Sequence, residues 1–283
     1  MYPLDLESHL LALIRSGQTN NVLLAQELAR GMRVDLLHLL QPYQPLLWQS
    51  DAPVLEDYVA LFTSASLDFS YQNYEQLPVG FQDLQRVQQL DLSNNRFTSV
   101  DPLLFELNSL TTLNLNKNKL TQLPADLTPW QFLQSIHLAD NQFQQLPKGL
   151  AALTAVTVVD LSRNRLKSLP SFVQQWQKLV SLFLVRNSLY YLPEEIGHWQ
   201  QLEWLDLSYN QLQELPESLG QLKSLRRLDL TDNPIEHLPD SVGQLTQLEE
   251  LIVHNVPLSQ RERRRLEQLL PHAKIKVNFD YLF

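Results

Sequence analysis

Seven asparagines recur at intervals of 23 residues, and this spacing constrains the fold more than any other feature of the chain. They are Asn95, Asn118, Asn141, Asn164, Asn187, Asn210 and Asn233. The leucines around them keep the same period, as in Leu113, Leu115 and Leu120 against Leu205, Leu207 and Leu212. A fixed period of this length indicates a stack of similar turns that share one continuous core.

Each period begins with the pattern Leu-x-x-Leu-x-Leu, which predicts a short strand. Alternate residues of a strand point to opposite faces, so the leucines enter the core and the residues between them face solvent. The second half of each period, Leu-Pro-x-x-Leu-x-x-Leu, has helical spacing and predicts a short helical or 3₁₀ turn. Because this turn is wider than the strand, we expect the stack to curve with its parallel strands on the concave side.

The repeated asparagines are predicted to be structural. Where the chain turns after each strand it leaves backbone amide and carbonyl groups at the edge of the core, and an Asn side chain offers both a donor and an acceptor. We therefore expect a ladder of hydrogen bonds from Asn95 to Asn233. Trp130, Trp176 and Trp199 occupy a column that is otherwise leucine, which indicates core residues.

The ends of the chain depart from the period. Residues 1–60 are predicted to form a helical N-terminal cap, with a second helix that has Thr19 or Asn20 as its N-cap, runs through Arg30 and is closed by Gly31. Residues 61–258 are predicted to form the repeat region of about nine turns. Residues 259–283 are predicted to form a C-terminal cap, in which Ser259 and Glu262 make a capping box and Ile275, Val277 and Phe279 mark a strand.

Composition excludes several classes of protein. The 283 residues include no cysteine, which rules out disulfides, cysteine zinc sites and thiol nucleophiles. A formal charge of −9 argues against nucleic acid, and the basic run from Arg261 to Arg265 is too short to form a binding stripe. No apolar run is long enough to span a bilayer. The N-terminus does not resemble a signal peptide, so we expect a cytoplasmic protein.

The 23-residue period with Leu-Pro after the Asn resembles the leucine-rich repeat of Ras-group intracellular scaffolds and of bacterial leucine-rich repeat proteins. The closing stretch from Pro257 to Phe279 is similar to the C-terminal cap of the bacterial members. This resemblance implies an α/β solenoid, a right-handed horseshoe with a parallel concave sheet, convex 3₁₀ or short helical turns, and caps at both ends. It also implies an adaptor that binds protein on its concave face.

The outward residues of the central strands form the candidate binding site. Large apolar side chains at Val158, Phe183, Val185, Trp204 and Tyr209 fall on three neighbouring strands, where the N-terminal half has small polar residues. Charged residues surround them, a composition typical of binding hot spots. The predicted partner-binding residues are Val158, Asp160, Arg163, Phe183, Val185, Arg186, Trp204, Tyr209 and Arg227. The alternative is that Phe183 and Trp204 only cover one another.

No pattern in the sequence indicates catalysis, a metal or a cofactor. There is no phosphate-binding Gly-rich loop and no His-Glu-x-x-His, and the seven histidines lack ligand spacing. We therefore expect a non-catalytic scaffold, monomeric, that binds a protein or peptide. Two alternatives remain open: the recognition arm of a GTPase or ubiquitin-ligase system, and a self-associating structural protein.

Overall fold

The computed structural model describes residues 3–277, in which ten short parallel strands form one open sheet in chain order. The strands β1 to β10 are Ser66–Asp68, Gln89–Asp91, Thr112–Asn114, Ser135–His137, Val158–Asp160, Ser181–Phe183, Trp204–Asp206, Arg227–Asp229, Glu250–Ile252 and Lys274–Lys276. Each strand from β1 to β8 pairs with the residues 23 positions further on, so the period of the sequence becomes the register of the sheet.

Strands β2 to β9 bury their middle residue, and those of β2 to β8 leave the two flanking residues facing outward, whereas Ile252 of β9 is also buried and the middle residues of β1 and β10 are half-buried. Leu113, Leu182 and Leu228 are completely buried, whereas the flanking positions are exposed or half-buried. The outward side chains of β1–β10 form what we call the concave face. The return segments between strands are 3₁₀ turns, as predicted: Phe81–Asp83, Pro102–Glu106, Thr128–Trp130, Lys148–Ala152, Ser171–Gln175, Glu194–His198, Glu217–Gln221 and Asp240–Gln244.

The asparagine ladder is present from Asn95 to Asn233. Asn164 shows the arrangement: its Nδ2 donates to the carbonyl oxygens of Leu138 and Leu161, both at 3.0 Å. Its Oδ1 accepts from the backbone N–H of Phe143 at 3.1 Å. Each side chain therefore satisfies backbone groups of its own turn and of the preceding one, which explains why a residue with both donor and acceptor recurs there.

The tryptophans of the leucine column also join neighbouring turns. Trp130, Trp176 and Trp199 are at most 1% exposed. Their indole Nε1 atoms donate to carbonyl oxygens 26 residues earlier, at distances of 2.9–3.2 Å. A buried indole N–H needs such a partner, so these residues fill the core without an unpaired polar group.

In the described part of the chain, four α-helices and one 3₁₀ helix, Gln41–Leu46, precede the sheet: the α-helices are α1 Pro3–Arg15, α2 Thr19–Met32, α3 Leu36–Leu40 and α4 Leu55–Thr63. The predicted ends of α2 are wrong. Gln18 is its N-cap and makes no side-chain cap hydrogen bond, and the helix continues through Gly31. It closes at Arg33, which adopts a left-handed conformation with φ 58°. The N–H of Arg33 bonds back to the carbonyl groups of Ala29 and Arg30, so backbone geometry ends the helix without a glycine there.

A polar cluster fastens the N-terminal helices to the first turns. The Tyr43 hydroxyl donates to Asp83 at 2.8 Å, and the Arg15 guanidinium contacts both groups, with its Nη2 2.9 Å from the Asp83 carboxylate. Gly80 allows the Tyr43 ring to lie against the backbone, because a Cβ there would be 2.5 Å from the ring. Burial raises the pKa of Tyr43, so its hydroxyl remains a donor at neutral pH.

After β9 the chain forms helix α5, Gln260–Leu269, and returns to the sheet as β10. The predicted capping box is half formed. The Ser259 side chain accepts from the Glu262 N–H at 3.1 Å, but the Glu262 carboxylate turns inward and accepts from the backbone N–H of Leu238 at 3.0 Å. Arg265 completes this cluster, with its Nη2 2.7 Å from Oε1 of Glu262. The predicted strand residue Phe279 lies outside the described residues.

Candidate functional site

The nine predicted partner-binding residues lie on four adjacent strands, β5 to β8, and on the loops that follow them. Val158 and Asp160 are on β5, Phe183 is on β6, Trp204 on β7 and Arg227 on β8. The loop residues of the same turns are Val185 and Arg186 after β6, Arg163 after β5 and Tyr209 after β7. The parallel register brings all nine to one region of the concave face, which we call the central patch.

Trp204 and Tyr209 are the most exposed of the large apolar side chains in the central patch, at 51% and 45%. Trp204 is directly opposite Ser181 and Arg227, and Phe183 is opposite Asp160 and Asp206. Phe183, Val158 and Val185 are half-buried. The small Ser181 leaves one side of Trp204 without a bulky neighbour, so the indole lies open to solvent over the sheet.

The rings of Phe183 and Trp204 are diagonal neighbours on β6 and β7 rather than a stacked pair. Ring contacts among residues 3–277 occur at four other places, such as Phe105 with Trp130 at 4.8 Å, and none joins Phe183 to Trp204. This arrangement weakens the interpretation that the two side chains serve only to cover one another.

The three arginines of the central patch each contact a neighbour within the protein. Arg186 lies over the Tyr209 ring, 4.9 Å from its centroid. Arg163 is 3.9 Å from Asp140, and Arg227 is 3.6 Å from Glu250. These arginines form a rim around the apolar residues. A hydrogen bond from Lys276, then the charges of Lys276 and Arg227, lower the pKa of Glu250.

Three aspartates lie beside the aromatic residues of the central patch. Asp160, Asp206 and Asp229 share one column of the sheet, and Asp206 and Asp229 are direct partners on β7 and β8. Burial is the largest cause of a raised pKa at Asp206, and the negative charge of Asp229 adds to it. Hydrogen bonds from Ser208 act in the opposite direction.

The loop residue after each of strands β2 to β9 has a left-handed backbone, which sequence reasoning missed. The φ angles are 53–58° at Asn94, Lys117, Asp140, Arg163, Arg186, Tyr209, Asp232 and Asn255. Such a conformation is unfavourable for large side chains. At Arg186 and Tyr209 it places a cation–π pair at the edge of the central patch. Four of the eight positions are asparagine or aspartate, which favour this conformation, and that preference could have predicted it.

Other exposed surfaces were also missed. Tyr190 and Tyr191 are 47% and 54% exposed in the loop between β6 and the next 3₁₀ turn. Other turns have polar residues there, such as Thr121 and Gln122, so this departure from the repeat could have revealed them. A depression of about 330 Å³ on the N-terminal half of the concave face is lined by small and polar residues such as His137.

The described residues show no group of three or more His, Cys, Asp or Glu arranged to hold a metal ion. Nor does any helix within residues 3–277 have the length and apolar character to cross a membrane. The concave face presents aromatic, carboxylate and guanidinium groups.

Two family models match the chain. A model described as a leucine-rich repeat region covers residues 182–277, and a model of two leucine-rich repeats covers residues 85–129. No curated protein sequence matches the chain.

Solved structures with the same architecture include proteins from a bacterium and a plant. A leucine-rich repeat protein of Leptospira interrogans is 31% identical, with a TM-score of 0.63 over 75% of this chain and 60% of its own. The leucine-rich repeat ectodomain of the Arabidopsis thaliana receptor kinase GASSHO1/SCHENGEN3, in complex with Casparian strip integrity factor 2, is 32% identical with a TM-score of 0.60. That match covers 72% of this chain and 25% of the receptor chain.

A third similar structure, the PEPR1–AtPEP1 complex, is 25% identical with a TM-score of 0.58 over 75% of this chain and 35% of its own. The chain thus spans 25–60% of the length of these three proteins. The leucine-rich repeat fold is generally a protein–protein interaction module. The period, the asparagine ladder, the family models and the structural matches together show that the chain belongs to the leucine-rich repeat proteins.

Proposed function

We propose that this chain is a non-catalytic scaffold that binds a protein or peptide on the central patch of its concave face. The observation that carries the proposal is the exposure of two large aromatic side chains in the central patch, Trp204 on β7 and Tyr209 in the loop that follows it. Tryptophan, tyrosine and arginine dominate measured hot spots, and all three surround Phe183 here.

The rigidity of the sheet favours this use. The patch side chains project from strands whose backbones are bonded to neighbours on both sides, so little freedom remains to be lost on binding. The GASSHO1/SCHENGEN3 ectodomain, which shares the fold, was solved in complex with another molecule, Casparian strip integrity factor 2. That precedent supports a macromolecular partner for this chain.

The test compares two double variants for capture of partners from a lysate of cells that naturally express the protein. Phe183→Ala/Trp204→Ala removes two aromatic side chains from the central patch. Tyr190→Ala/Tyr191→Ala removes two exposed aromatic side chains outside the strands. We expect proteins captured by the wild type to be lost with the first variant and kept with the second.

Any protein recovered in this way is then titrated against the purified variants by calorimetry. Loss of one hot-spot side chain typically costs at least about 2 kcal/mol, or roughly thirtyfold in affinity. Equal affinity of the wild type and the Phe183, Trp204 variant would show that the patch is not the site. Light scattering of the protein alone distinguishes a monomeric scaffold from a self-associating one.

A further inference from the structure

Asp160 of the central patch and its column neighbours Asp206 and Asp229 share one role in the fold that does not require their charge. Each Oδ1 accepts from the backbone N–H two residues further on: Asp160 from Ser162, Asp206 from Ser208 and Asp229 from Thr231, all at 3.0 Å. Asn114, in the same column of β3, makes the same bond to the N–H of Asn116 at 3.0 Å. A neutral amide thus suffices for this turn, and the negative charge of the aspartates is additional.

The second carboxylate oxygens of Asp160, Asp206 and Asp229 differ from that of Asp91 in the same column. In Asp91 on β2, Oδ2 accepts from the Asn114 side chain at 2.8 Å. Within residues 3–277, no hydrogen bond or ion pair reaches Oδ2 of Asp160, Asp206 or Asp229. The three carboxylates therefore present unpaired oxygens beside Phe183 and Trp204.

Asp206 and Asp229 are a like-charged pair on adjacent parallel strands, where the strand spacing is about 4.8 Å. Like charges directly opposite one another in a sheet are destabilising. Arg227, which is next to this pair on β8, contacts Glu250 on β9, on the side of β8 away from β7. Burial is the main cause of the raised pKa of Asp206, and the charge of Asp229 raises it further, with a larger effect than the opposing charge of Arg227.

A cation from outside the chain would relieve this repulsion. A guanidinium group has donors enough to bridge two adjacent carboxylates, and its flat face can stack on an indole. Trp204 precedes Asp206 by two residues on the same strand and so projects from the same face. The carboxylates that would bind an arginine side chain therefore lie next to the indole ring that would pack against an apolar side chain.

From this arrangement we propose that the partner presents a basic side chain, with arginine preferred to lysine, next to an apolar or aromatic one. The basic group bridges Asp206 and Asp229, and the apolar side chain packs on Phe183 and Trp204. This inference rests on the proposed function, since it names the chemistry of the segment that the central patch receives.

The experiment selects binders from a displayed library of random short peptides. Three proteins are used: the wild type, Asp206→Asn/Asp229→Asn, and Asp91→Asn as the matched control in the same column. Asparagine keeps the turn hydrogen bond, as Asn114 shows, and thermal unfolding verifies that each variant is folded. We expect the wild type and the control to enrich peptides with Arg or Lys beside an apolar residue, and the double variant to lose the preference for basic residues.

One selected peptide and its Arg→Gln form are then measured by fluorescence anisotropy. The change should weaken binding about tenfold for the wild type and the control, and hardly at all for Asp206→Asn/Asp229→Asn. Salt should weaken the binding of the arginine peptide more than that of the glutamine peptide. Enrichment without basic residues, or an equal basic preference in the double variant, would overturn the inference.

The same peptides separate this inference from the proposed function. If peptides bind the wild type but not Phe183→Ala/Trp204→Ala, and show no preference for basic residues, the site stands and only the charge assignment fails. If they bind the wild type and that variant equally, the site itself is wrong. A library that yields no binder to the wild type counts against both.

Discussion

Single residues in this chain divide into those that hold the stack together and those that the stack presents. The repeat asparagines are 2–8% exposed, and each bonds to backbone groups of two turns. Trp204 and Tyr209 contribute little to the core and project outward. A substitution should therefore affect either folding or binding, according to the column in which it falls.

Replacing Asn164 with alanine should lower the free energy of unfolding by about 1–3 kcal/mol, because buried carbonyl groups of Leu138 and Leu161 lose their donor. Asn108→Ala is the matched control, since Asn108 is exposed and outside the ladder. Asn94 is less suitable, as its left-handed backbone would penalise alanine independently. Urea denaturation of both variants checks the difference, and equal midpoints would contradict the ladder.

Two glycines should respond to alanine in opposite directions. Gly80 has φ 92°, and a Cβ there would be 2.5 Å from the Tyr43 ring, so Gly80→Ala should destabilise by about 2 kcal/mol. Gly31 lies inside α2 with open space around it, so Gly31→Ala should stabilise by about 0.5–1 kcal/mol. Thermal unfolding of each variant tests both signs. A harmless Gly80→Ala would mean that the N-terminal helices do not pack as described.

Among the elements, helix α5 is joined to the repeats by a charged group rather than by leucines alone. Leu266 and Leu270 are buried, and between the helix and the last turns lies the Glu262 carboxylate, 5% exposed. Hydrogen bonds from Arg265 are the largest cause of the low pKa of Glu262, which falls from 4.5 to about 2. Arg265 therefore favours the ionised form of the buried Glu262 carboxyl.

The pH dependence of stability follows from that shift. Because the pKa of Glu262 is lower in the folded state, its contribution is complete above about pH 4.5 and is lost as the pH falls toward 2. Glu262→Gln should destabilise by about 1–3 kcal/mol at neutral pH, and the difference from wild type should shrink in acid. Denaturant titrations at several pH values measure it, with Glu267→Gln, on the exposed side of α5, as the control. A difference that does not change with pH would contradict this role.

For the whole molecule, the sequence was sufficient to predict the fold because one period determines both the register and the core. The left-handed loop column was missed because Lys117, Arg186 and Tyr209 share a backbone conformation but no side-chain chemistry. The inward turn of Glu262 was missed because its partner, Leu238, is 24 residues away and belongs to another turn. The central patch was predicted as a binding site because its side chains depart from the repeat, and it stays a prediction because that departure carries no record of a partner.

Removal of residues 259–283 should cause aggregation. Strand β9 would lose β10, its neighbour on one side, and the buried Leu251 and Val253 would lose the packing that follows them. Light scattering and thermal unfolding of the shortened chain test this. A soluble, monomeric product with unchanged melting would show that the segment does not cap the stack.

The most direct test of the binding proposal is site-specific photo-crosslinking in cells that express the protein. A photoreactive amino acid replaces His137 in one variant and Tyr191 in another. His137 is opposite Asp160 on the concave face and borders the central patch without being one of its nine residues, whereas Tyr191 lies outside the strands. We expect irradiation to link a discrete protein to position 137 and not to position 191. Crosslinks at position 191 alone, or the same products from both positions, would contradict a binding site on the central patch.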